Sequence, residues 1–266
     1  MLILTHTCFL QSYLGEINAK NYGLDIYVYN IVPDLLTIHP QINSSETHDI
    51  KRTLKISPEF PKASYIIFHL LLDDLAHYGH ICKDYKEEFN PDSQGYCYIK
   101  GKPLINPLLQ LHKEIHEEIS YNESAYRSHL IIEMLYDLVI KNQIINSKTI
   151  ELLAEATTYT LKNKMPEFVR TVKYMYDYLE EEQIKDVIKE ASCYITEKKM
   201  KSIMNMEGRI SLYASKFGTK NNGNIIYDSM KDLFMKAKVL LDEEDDVFLR
   251  QSVQTIKEYG WFPPIK

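Results

Sequence analysis

Apolar residues recur along most of this chain at spacings of three and four, which places them on one face of a helix. Pro58 and Pro61 bracket a turn. The next run carries Ile66, Leu70, Asp73 and His77 at helical spacing, so a helix is predicted to start at about Lys62. Upstream, Tyr22 to Leu36 is rich in aromatic and β-branched residues, and Ser44 or Ser45 is placed to cap a short helix carrying His48. Asn90 to Gly95 (Asn-Pro-Asp-Ser-Gln-Gly) is a turn signal, and Tyr96 to Leu104 then reads as a short hairpin or extended segment. Helices are predicted from near Pro107 through His116 and from about Glu123 to Lys141. Amphipathic stretches at about 147–163, 166–180, 183–213, 224–241 and 243–258 predict more, with Gly208 or the Gly218 region dividing the longest and Asn221 to Asn224 forming a loop. The expected architecture is mostly α, with residues 1–145 as a helical core and 146–266 as a helical extension packed on the same domain.

Within that scaffold one stripe stands out. Relative to His69 on an ideal helix, Asp73 lies near 40°, His77 near 80° and His80 near 20°, so the four share an arc of roughly 80°, while Asp74 falls near 140°. His69 and His80 would be roughly 16 Å apart along a straight helix, too far to share one ion at bond lengths of about 2 Å. The stripe therefore implies more than one ion, or a helix that ends near Gly79: His69 and Asp73 suit one ion, and His77 or His80 the next. His129 and Glu133 repeat the one-turn spacing on a later helix and, with His80, would form an N,N,O set with an open position. A lone histidine on an apolar face is ordinarily a hydrogen-bonded core residue. Here three histidines and a carboxylate sit among Ile66, Phe68, Leu70, Leu71 and Leu72, where burial without ions would demand a fully satisfied polar network. His6, Asp34 and His48 are further candidates to complete the site. His112 and His116 form an HxxxH lacking the glutamate placement of HExxH, and read with His39 as structural or surface residues.

Composition narrows the chemistry. A 266-residue chain, 45% hydrophobic and 26% charged, is that of a globular protein with a sizeable core. Its 31 basic residues against 37 acidic ones give a net charge of −6, which provides no field for duplex nucleic acid but does not exclude a small phosphoester, because bound divalent ions invert the local field. Cys8, Cys82, Cys97 and Cys193 form no CxxC pair or staple pattern. No long uninterrupted apolar run and no basic n-region are visible, so a cytoplasmic location is expected, with secretion left open.

Taken in order, Thr5-His6, Val32-Pro33-Asp34, His48, His69-x-x-x-Asp73, a downstream His77 or His80, and His129-x-x-x-Glu133 resemble the zinc-dependent phospholipases C, which are related in fold to the fungal single-strand-specific nucleases. The resemblance spans residues 6 to 133. It implies a multi-helical bundle, with a short extended segment in this chain, around two or three zinc ions or another divalent metal. It further implies that His48 and His69 hold one ion with Asp73, which bridges to another; that His80, with His77 as the alternative, joins His129 and Glu133; that His6 serves a third ion beside Asp73; and that Asp34 acts as a base or orienting carboxylate. One departure is that the family's histidine after the bridging aspartate usually follows a Pro-containing break about six positions on, whereas here His77 lies four on and His80 seven, with Gly79 as the only breaker. The implied activity is hydrolysis of a small phosphodiester or a phospholipid, with transient contact with a membrane surface. Phe89, Tyr96 and Tyr98 are candidates for an apolar rim. An HD-type phosphohydrolase built on His48-Asp49, or a helical interaction protein with a structural metal, are the alternatives.

Overall fold

The computed structural model describes residues 2–19, 22–84, 90–114, 118–217, 224–241 and 247–264, and among them every regular element is helical. In chain order the helices are α1 (Ile3–Ala19), α2 (Ile26–Asn30), α3 (Val32–Leu36), α4 (Ser44–Thr47), α5 (Ala63–His77), α6 (Tyr96–Gly101), α7 (Ile105–Glu114), α8 (Tyr121–Val139), α9 (Lys141–Asn146), α10 (Thr149–Tyr159), α11 (Met165–Met175), α12 (Glu181–Tyr194), α13 (Glu197–Ser202), α14 (Met206–Phe217), α15 (Asn224–Leu241) and α16 (Val247–Tyr259).

Helix α5 lies at the centre because it is apolar almost all round, and a helix of that kind is stable only when covered on every side. It packs on α2, α3, α6, α11 and α16. Burial of Phe68, Leu70, Leu71 and Leu72 stabilises it by about 1.5–3 kcal/mol for each side chain. Helix α8 packs on α1, α6, α7, α14 and α15, and the later helices return to the early ones: α16 lies on α1 and α5, and α12 on α3. One hydrophobic cluster runs from Leu4 to Trp261.

Several predicted boundaries shift. The expected extended segment at Tyr96 to Leu104 is helix α6 followed by a 3-10 turn at Lys102–Leu104, because Gly101 lets α6 lie directly against the α8 backbone at Ser128 and His129. Asn43, rather than Ser44 or Ser45, occupies the cap position of α4, and its backbone N–H donates to Glu46 Oε2 at 3.3 Å. The helix expected from Pro107 starts at Ile105, and His116 lies outside the described residues, as do Phe89, Gly218 and Asn221. The long stretch at 183–213 breaks before Thr196 and again near Asn205. Thr196 accepts from the Lys199 N–H, and Asn205 Oδ1 accepts from the Gly208 N–H at 2.8 Å, so Gly208 sits in the first turn of α14 rather than at a break. Between α10 and α11 the helix widens into a π turn at Thr160–Lys164, just before Pro166, which lacks an N–H to continue the ladder.

The C-terminal end of α5 decides which histidines stay on its stripe. Gly79 takes a left-handed φ of 77° and its N–H returns to Leu75 O at 3.2 Å, the geometry in which glycine closes a helix at least cost. Segment 93–95 seals this end: the Ser93 hydroxyl donates to the His77 carbonyl, and a Cβ added at Gly95 would collide with the His77 backbone. Gly95→Ala is therefore expected to destabilise the chain by about 1–3 kcal/mol, read from the denaturant midpoint; a midpoint equal to wild type would contradict this packing.

Candidate metal centre

Four helices or helix ends converge on the α5 stripe. Helix α1 contributes His6, α3 Asp34, the C-terminal end of α4 His48, and α8 His129 and Glu133. Among the described residues there are three groups within each of which the possible ligand atoms lie within 4.8 Å of one another: His6, His69 and Asp73; Asp34, His48 and His69; and His77, His129 and Glu133. His80 belongs to none of them. It is exposed beyond Gly79, with its Nδ1 3.1 Å from Tyr78 O, because α5 ends after His77 and the left-handed glycine turns the chain away. His77 stands where the sequence left the choice open.

The first two groups share His69 and surround Asp73. Asp73 Oδ1 is 3.2 Å from His6 Nε2, while Oδ2 is 3.2 Å from His48 Nε2 and 3.3 Å from His69 Nε2. Donors bound tetrahedrally at 2.0–2.1 Å stand about 3.3 Å apart, so these separations match the edges of a zinc coordination shell. Asp34 Oδ1 lies 3.7 Å from His48 Nε2 and 3.9 Å from His69 Nε2. That places the predicted base inside the ligand set as well as at its rim.

Neighbouring backbone fixes which ring nitrogens face inward. His69 Nδ1 is 2.8 Å from Asn30 O, and His48 Nδ1 is 2.8 Å from Ser44 O; a carbonyl can only accept, so each Nδ1 carries the hydrogen and each Nε2 keeps its lone pair. Asn30 also donates from Nδ2 to His6 O at 2.9 Å, tying α1 to the same point. The stacked His6 and His69 rings have centroids 3.6 Å apart. Both nitrogens of His6 and Nε2 of His69 are buried without a hydrogen-bond partner among the described residues. Unpaired buried polar atoms are costly, and two of these, the Nε2 atoms of His6 and His69, stand 3.2 and 3.3 Å from the Asp73 carboxylate, an arrangement that fits a divalent cation. Burial, reinforced by the nearby His69, lowers the His6 pKa to about 4, so the ring is neutral and able to ligate at pH 7. Burial alone would raise Asp73, but the imidazoles of His69, His6 and His48 around it hold it well below the usual carboxylate range.

The third group is arranged differently. His77 Nε2 lies 2.6 Å from Glu133 Oε1, a charge-assisted hydrogen bond shorter than a coordination edge, and His129 Nε2 is 3.9 Å from the same oxygen. Tyr98 stacks on His129 at 4.5 Å and Tyr126 meets it edge-on at 5.0 Å. Burial lowers His129 to about 3, helped by His77, while Glu133 is held low against its own burial by neighbouring positive charge and the His77 bond. Tyr98 thus touches a ligand ring, whereas Tyr96 is stacked on Phe248 at 4.5 Å and packs into the core rather than at a rim.

Asp34, His48, Asp73, His77, His129 and Glu133 all face one cleft of about 950 Å³. His6 and His69 lie behind them, at 1% and 0% exposure. Asp49 is exposed and joins none of the groups, which removes the His-Asp pair that an HD-type site requires. His112 is buried, with Nε2 3.2 Å from Arg127 Nη1, and His39 bonds locally to the Gln41 N–H; neither belongs to the groups. Asn30, Arg52 and Tyr98 were not singled out as supports from sequence. Asp74 offers the one signal: a second carboxylate in an apolar run needs a partner, and Arg52 is that partner, at 2.7 Å. No family model, curated protein or solved structure matches this chain.

The lowered histidine pKa values carry a sign. Free in the unfolded chain, His6 and His129 would protonate below about 6.5, whereas in the folded chain they resist protonation until about 4 and about 3. The unfolded state binds more protons in that window, so stability falls as pH drops. With a chelator present, the unfolding free energy is expected to decrease by a few kcal/mol between pH 7 and pH 4.5; a flat profile across that range would contradict neutral buried imidazoles.

Proposed function

We propose that the chain is a metal-dependent phosphodiester hydrolase of the phospholipase C-like kind, working on a small phosphodiester or a phospholipid rather than on duplex nucleic acid. The observation that carries this reading is a carboxylate, Asp73, set among imidazoles of which His6 and His69 have buried nitrogens without partners, on the wall of an open cleft. A purely structural metal would favour a closed shell. Here the side chains of Asp34 and His48 are 29% and 13% exposed toward the space where a substrate would enter.

In this reading His48, His69, His6 and Asp73, with Asp34 at their edge, would hold zinc or another divalent metal, and His77, His129 and Glu133 would hold a further ion. Divalent ions bound at such groups polarise phosphoryl oxygens and lower the pKa of water. The side chains account for the rest. His48 and His69 present fixed Nε2 lone pairs because Ser44 and Asn30 carbonyls hold their Nδ1 hydrogens. Both oxygens of Asp73 stand at coordination spacing from imidazole Nε2 atoms, so Asp73 would be a metal ligand and not the base. Asp34 keeps the greater exposure of the two aspartates, orients the attacking water and takes its proton at a carboxylate oxygen. Leu130, Tyr194 and Ile203 extend the same cleft as an apolar wall, which suits a substrate with a hydrocarbon part. Such a substrate calls for passing contact with a membrane surface; no described helix is long and apolar enough to cross one.

Asp73→Asn is expected to lose bound zinc and to reduce cleavage of a chromogenic phosphodiester, bis(p-nitrophenyl) phosphate, or of phosphatidylcholine vesicles by about 100-fold or more, as loss of a ligand shared by two ions requires. Asp34→Asn is expected to cut kcat while leaving most of the bound metal in place. Metal content by mass spectrometry alongside the rates checks both, and unchanged metal and activity in Asp73→Asn would overturn the proposal.

A further inference from the structure

The two adjacent aspartates of α5 point to different partners. Asp73 faces the imidazoles, whereas Asp74, about 100° round the helix, is fully buried and faces Arg52. Arg52 is itself 5% exposed, and its guanidinium is almost completely used. Nε donates to Asp74 Oδ2 at 3.0 Å, Nη2 to Asp74 Oδ1 at 2.7 Å, and Nη1 to the carbonyls of His48 at 2.9 Å and Ile50 at 2.5 Å. Asp74 Oδ2 also accepts from the Cys82 N–H at 2.9 Å, which ties the chain beyond α5 to the same carboxylate. The Tyr176 hydroxyl donates to Thr47 O at 3.0 Å. The segment that ends in His48 is only a four-residue helix, too short to hold a side chain by its own ladder, yet three carbonyls in and just beyond it, at 47, 48 and 50, are held by buried side chains.

We propose that Arg52 and Asp74 form a positioning clamp for the His48 end of the Asp73-centred metal group. A planar fork bound bidentately has one orientation, so Arg52 transmits the place of α5 to the His48 carbonyl. The ligand on the loop and the bridging carboxylate on the helix are thereby referred to the same turn of α5. The hydrogen bonds of the pair named above run to His48, Ile50 and Cys82, so the effect is expected on the Asp73-centred group rather than on His77, His129 and Glu133. It rests on the metal-binding reading and assigns the pair no contact with substrate.

The test is zinc titration of the full-length metal-free chain by calorimetry, with His129→Ala identifying the step that belongs to the third group, and cobalt absorption spectra as a second readout. The double variant Arg52→Met, Asp74→Leu replaces the buried pair by apolar groups of similar size, an exchange that commonly preserves folding. It is expected to weaken the Asp73-centred step about 10- to 100-fold, alter the cobalt bands of that group, and leave the His129 step unchanged. Asp74→Asn, which keeps the volume and the Cys82 contact, is measured beside it and is expected to show a smaller change of the same kind. Arg52→Lys, with charge but no fork, should fall between. Wild-type affinity at the Asp73 group in these variants, or parallel weakening of both steps, overturns the clamp while leaving the metal reading intact; a wild-type chain that takes up no zinc overturns the metal reading and the clamp with it.

Discussion

The arrangement depends on one constraint: a carboxylate and three imidazoles, all but His48 fully buried, are gathered around a single point with too few hydrogen-bond partners among themselves. Three Nε2 atoms stand 3.2–3.3 Å from the two oxygens of Asp73, yet both nitrogens of His6 and Nε2 of His69 have no hydrogen-bond partner among the described residues. An apolar core would have avoided the desolvation cost altogether. A cation placed among these atoms offsets it, because each lone pair then gains a ligand bond and the carboxylate keeps its charge.

The surrounding fold is organised to hold that point steady. Helix α5 is apolar on nearly every face, so it is clamped by neighbours on all sides and its stripe of His69, Asp73 and His77 has little freedom. Neighbouring carbonyls select the imidazole tautomers, and Asn30 serves two histidines at once, by its side chain and by its backbone. At the far end Gly79 and Gly95 allow a backbone-to-backbone approach that stops the helix immediately after His77. The two ligand arrangements thus differ in kind: one set stands at coordination spacing, while the other is drawn together by the His77 to Glu133 hydrogen bond at 2.6 Å.

Much of this was legible because helical periodicity is a local property. The placing of His69, Asp73 and His77 on one stripe, and of His129 and Glu133 one turn apart, comes from 3.6 residues per turn alone, and α5 begins at Ala63 next to the expected Lys62. What periodicity could not supply is where a helix stops against a neighbour. His80 shares the ideal arc but falls outside the groups, since the turn at Gly79 depends on segment 93–95 packing beneath it. Tyr96 to Leu104 resembled an extended stretch in its local residues, and became helical through Gly101 meeting α8. Asn30 was invisible, because its role runs through backbone carbonyls, which leave no mark on residue identity, and Arg52 was signalled only indirectly, by the second carboxylate Asp74 in an apolar run.

The most direct measurement is a crystal structure of the chain grown with zinc, with anomalous data collected on either side of the zinc absorption edge. The account predicts an anomalous peak within coordination distance of Asp73, His48 and His69, and a further peak at His77, His129 and Glu133, with the His77 to Glu133 contact opened. A map with no peak beside Asp73, and the His6 and His69 nitrogens satisfied by ordered water, would contradict it.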